Sequence, residues 1–64
     1  EVNTMKRVIE IPKFRIEEFT SLVLDGDDIK VYHLYINDTF IRASADKKEI
    51  MDMIKARIEL ELGV

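Results

Sequence analysis

The sequence predicts a single small α+β domain, in which an antiparallel β-hairpin is followed by a C-terminal amphipathic helix. Three observations carry this. Residues 47–62 repeat apolar side chains at helical spacing behind a capping residue. Residues 29–36 and 39–43 are two β-rich runs separated by a turn dipeptide. The composition, 47% hydrophobic and 36% charged, is that of a chain that buries a core and not of a disordered one.

The helix is the clearest element. Asp46-Lys47-Lys48-Glu49 resembles a capping box, with Asp46 as the N-cap and an acid three positions later. Ile50, Ile54, Ile58 and Leu62 then recur at i+4, with Met51 on their flank. Gly63 follows, where a left-handed residue ends a helix. Met53, Ala56 and Leu60 widen the apolar surface beyond what one packing face requires.

In the hairpin, Asn37-Asp38 supplies two residues that tolerate positive φ. Alternation places Tyr32, Leu34 and Ile36 on one face of the first strand and Val31, His33 and Tyr35 on the other. Neither face is polar throughout. Such a strand is either central, with both faces covered, or part of an interface.

Residues 6–11 read as a further strand, which Pro12 stops or confines to an edge. Residues 15–24 are ambiguous. As a helix, Ile16, Phe19, Leu22 and Val23 would line one side. As a strand, residues 19–24 would pair with residues 29–36 through Asp25-Gly26-Asp27-Asp28. The poor alternation favours the helix, and hence β-α-β-β-α over β-β-β-β-α. Residues 1–4 show no pattern and are expected to be a disordered tail or an extension added ahead of a start at Met5, with residues 5–64 as one domain.

A chain of 64 residues lies near the lower limit for folding alone. Without cysteine it has no disulfide, and with His33 as its only histidine it lacks a thiolate- or histidine-rich metal site. The expected remedy is self-association into a homodimer. The longest apolar run falls far short of the ~20 residues of a membrane span, so no membrane partner is expected. No apolar stretch follows a basic start, and the expected location is cytoplasmic.

Catalytic constellations are missing from the pattern. Nucleophilic catalysis needs a hydroxyl or thiol beside a base, and His33 lies mid-strand among tyrosines. Asp25, Asp27 and Asp28 lack the spacing of a calcium loop and read as a solvated turn, in which Gly26 supplies a permissive backbone. Gly26 and Gly63 are the only glycines, which excludes a glycine-rich phosphate loop. No enzyme activity, cofactor or metal is therefore expected.

The ending, two strands and a capped helix, resembles in outline the small antitoxin domains of the HicB type. That family's glycine- and cysteine-containing turn is absent, so no residue role is carried across.

The sequence thus points to a non-enzymatic protein–protein interaction module, a small intracellular regulator or inhibitor of the kind viruses and phages encode. Tyr32, Tyr35, Phe40, Met51 and Met53 are the candidate contacts, because aromatics and methionine are enriched at interfaces. The alternatives are a subunit of a larger assembly, or a nucleic-acid-binding regulator using Lys13, Arg15, Lys47, Lys48 and an aromatic strand face. A net charge of −3 weighs against nucleic acid.

Overall fold

The computed structural model describes residues 3–63 as four strands followed by one helix: β1 (Asn3–Ile11), β2 (Phe14–Leu22), β3 (Ile29–Ile36), β4 (Thr39–Ser44) and α1 (Lys47–Leu62). The strands form one antiparallel meander in the order β1-β2-β3-β4. The topology is therefore β-β-β-β-α, and residues 15–24 are not the helix that their spacing favours. β1 also begins earlier than residue 6, so Asn3 and Thr4 are paired strand and not tail. The rest of the expected tail, residues 1 and 2, lies outside the described residues.

Each turn has a local cause. β1 and β2 are joined by Pro12-Lys13 alone, with Ile11 opposite Phe14. Proline followed by a residue at φ 78° fits a type II turn. β3 and β4 are joined by Asn37-Asp38 at φ 52° and 63°, the doubly left-handed turn that matches strand twist. The two hairpin tips touch, because the Asn37 amide donates to the Lys13 carbonyl at 2.8 Å. β4 carries a bulge: Tyr35 pairs with Phe40 but Leu34 pairs with Arg42, leaving Ile41 as the extra residue.

The helix has both of its caps. Asp46 accepts a hydrogen bond from the Lys48 amide at 2.9 Å, and Gly63 closes the other end at φ 75°. Ile50 and Ile54 press onto one face of the sheet, where Phe14, Ile16, Tyr32, Leu34 and Ile36 complete the core. Leu34 is fully enclosed. Beyond Ile54 the apolar stripe is no longer buried, and Ile58 and Leu62 are exposed.

Among the described residues, none forms a layer over the other face of the sheet. The radius of gyration is 13.6 Å, against about 11 Å for a compact chain of this length. No described helix is long and apolar enough to cross a membrane.

Candidate functional site

The uncovered sheet face follows from the register. Val8, Glu17, His33 and Ala43 lie opposite one another across the four strands. One row along, Glu10, Arg15, Tyr35 and Phe40 align, and Lys6, Phe19 and Val31 form a third row. Because side chains alternate across a strand, all of these point away from α1.

Four rings dominate the face. Phe19 and His33 lie 4.9 Å apart between centroids, tilted by 56°. Phe40 meets His33 at 5.7 Å and Tyr35 at 5.5 Å, edge to face in both cases. These geometries let the positive edge of one ring meet the negative face of the next. They also link β2, β3 and β4 across this face. Phe40 remains 52% exposed, though a protein core would normally enclose a phenylalanine.

Two cations border the rings. The Arg15 guanidinium sits over Tyr35 at 4.3 Å and the Lys6 ammonium over Phe19 at 5.9 Å. Both also approach Glu17, Lys6 at 3.4 Å and Arg15 at 3.5 Å. The Arg15 contact is not directed, because its buried Nε has no hydrogen-bond partner. Arg15 instead donates from Nη1 to Asp38 at 2.8 Å. With Lys6 and Arg15 set against Glu10 and Glu17, this face is charge-balanced.

The structure separates the candidate contacts. Tyr35 and Phe40 belong to the open face. Tyr32 is buried beneath α1 as part of the core, and Met53 packs against that core from the helix. Met51 is exposed on the helix, on the other side of the sheet from the rings. Sequence reasoning did not single out Phe19 or His33 as contacts. The signal was present in the parity of positions 19, 33 and 35, once residues 14–22 are read as a strand.

The bases of the nucleic-acid reading do not converge. Lys13 is at a hairpin tip, 3.8 Å from Glu61 in the last turn of α1. Lys47 and Lys48 occupy the first turn, about 20 Å away along the helix axis at roughly 1.5 Å per residue. Arg15 lies on the opposite sheet face.

Glu17 stands opposite His33, but Lys6 and Arg15 engage it. Among the described residues no group of three His, Asp or Glu side chains is placed to hold a metal ion. Gly26 is not at positive φ, and a Cβ there would meet only Val23 at 3.8 Å. The acidic turn therefore does not depend on glycine, contrary to the expectation from sequence.

No protein-family model, curated protein or solved structure matches this chain.

Proposed function

We propose that this protein is a non-enzymatic interaction module, a small intracellular regulator or inhibitor that binds another protein through its open sheet face. One observation carries the reading: a cluster of four interlocked rings stands uncovered on a charge-balanced face. An exposed Phe40 braced by half-buried rings on paired strands loses little conformational freedom on binding, which suits it to act as an anchor. The balance of charge favours a protein surface over a polyphosphate, since binding nucleic acid depends on a surplus of cations.

The test is capture from nuclease-treated extract of the native host, with wild-type protein and with Phe40→Ser, Tyr35→Ala and Met51→Ala. A single protein retained by the wild type and by Met51→Ala, but lost with Phe40→Ser and Tyr35→Ala, supports the reading. Retention that ignores Phe40 and Tyr35 overturns it.

The cations over Phe19 and Tyr35 favour a second reading, a single-stranded nucleic-acid binder that stacks bases on the rings. Such binding would weaken steeply as salt rises. Affinity for an oligonucleotide that is unchanged across a salt series would eliminate it.

A further inference from the structure

We infer that β1 is a self-pairing edge: two copies of this chain join β1 to β1 antiparallel, centred on Val8, into one eight-stranded sheet. The inference is independent of the partner of the open face, and either can fail without the other.

The two edges of the sheet differ. β4 has six residues, a bulge and the Arg42–Glu49 ion pair at 2.6 Å along it. These are devices that discourage edge pairing. β1 has nine residues in unbroken register with β2. Its proline comes only after its last residue.

Hydrogen-bond parity fixes which groups are free. In a two-residue hairpin the flanking residues, here Ile11 and Phe14, form a hydrogen-bonded pair. Inward and outward groups alternate from there, so Ile9, Arg7 and Met5 bond to β2. Thr4, Lys6, Val8 and Glu10 turn their N–H and C=O outward. Pro12 shares that outward parity and gives up no donor that β2 needs.

Side chains then select the register. Centred on Val8, the pairing sets Lys6 opposite Glu10 of the second copy, and Glu10 opposite its Lys6. Val8 meets Val8, and Met5 meets Ile11 on the helix side. Met5, Val8 and Ile11 are 61%, 45% and 48% exposed in the single chain, so this register gives each a partner. Glu10, which makes no ion pair among the described residues, gains one. Centring on Lys6, Arg7 or Glu10 sets like charges face to face on the axis, and centring on Ile9 sets Val8 against Glu10 and leaves Lys6 with no acid opposite it. The two-fold axis runs perpendicular to the sheet, so both helices lie on one side and both ring clusters on the other.

The 64 residues contain no cysteine, so the register can be read by single replacements. Val8→Cys is expected to oxidise to a covalent dimer, because facing Cα atoms lie about 5.5 Å apart, within disulfide range. Lys6→Cys and Glu10→Cys are expected to form no covalent dimer under the same oxidant, because each faces the other position and not its own copy.

Light scattering on the untagged chain is expected to give twice 7.5 kDa at high concentration. Lys6→Glu and Glu10→Lys each place like charges in both cross-strand pairs and are expected to weaken the dimer roughly tenfold. Mixed in equal amounts, these two variants restore complementary pairs and are expected to dimerise as the wild type does. A wild type that stays monomeric, a dimer indifferent to both reversals, or cross-linking at position 6 or 10 but not 8 overturns the inference.

Discussion

Two single residues show how backbone conformation, and not residue type, decides where glycine belongs. Lys13 holds φ at 78° to close the Pro12-Lys13 turn. A side chain there works against the Cβ–carbonyl clash, which costs roughly 1–2 kcal/mol in the left-handed region. Its ion pair with Glu61 is exposed on both sides and contributes little. Lys13→Gly is therefore expected to stabilise the fold by about 0.5–1 kcal/mol, after allowing for the larger entropy of an unfolded glycine. Gly26 is the reverse case. Its backbone is open to any residue and a Cβ has room. Gly26→Ala is expected to add about 0.4–1 kcal/mol by restricting the unfolded chain. Urea denaturation midpoints of the two variants check both signs. A loss at Gly26 would show that its backbone has a role that its φ does not reveal.

At the scale of elements, the C-terminal half of the chain was legible and the N-terminal half was not. The helix bounds follow from chemistry local to the chain, namely the Asp46 cap, the i+4 isoleucines and the Gly63 stop. Asp46→Ala removes the acceptor of the Lys48 amide and is expected to cost about 1 kcal/mol. This is measurable by thermal unfolding, with the loss appearing in the helical signal. The Asn37-Asp38 hairpin was equally local. β2 imitates a helix because its pattern depends on its surroundings. A strand with one wet face alternates cleanly, but in β2 the inner positions Phe14 and Ile16 coexist with the outer Phe19. Ile16 and Phe19, three apart, imitate a helical face while pointing to opposite sides of the sheet. The open ring cluster, which forms the candidate site, is thus what blurred the strand signal. The same cause explains the candidate contacts. Alternation separated Tyr32 from Tyr35 in the sequence, but which face α1 covers is set by the chain path after β4.

At the scale of the whole molecule, one sheet face is a core and the other is bare, and that asymmetry is measurable as stability. A domain of this length has only roughly 3–10 kcal/mol to lose, at about 0.05–0.15 kcal/mol per residue. Leu34 is fully enclosed between the sheet and Ile50 and Ile54. Leu34→Ala removes about 2–5 kcal/mol through lost burial and the cavity left behind. At the lower end of that stability range this is enough to leave much of the population unfolded at room temperature. Phe40 is the larger side chain, yet it gives up little burial on truncation, because half of it is already in contact with solvent. Phe40→Ala is expected to cost under about 1.5 kcal/mol, mostly its two edge-to-face contacts. Denaturant melts at low protein concentration compare the two variants directly. If Phe40→Ala proves as damaging as Leu34→Ala, the ring face is already covered in solution and the fold depends on whatever covers it. If the two separate as expected, the rings are dispensable for folding, and their exposure has to be explained by what they bind.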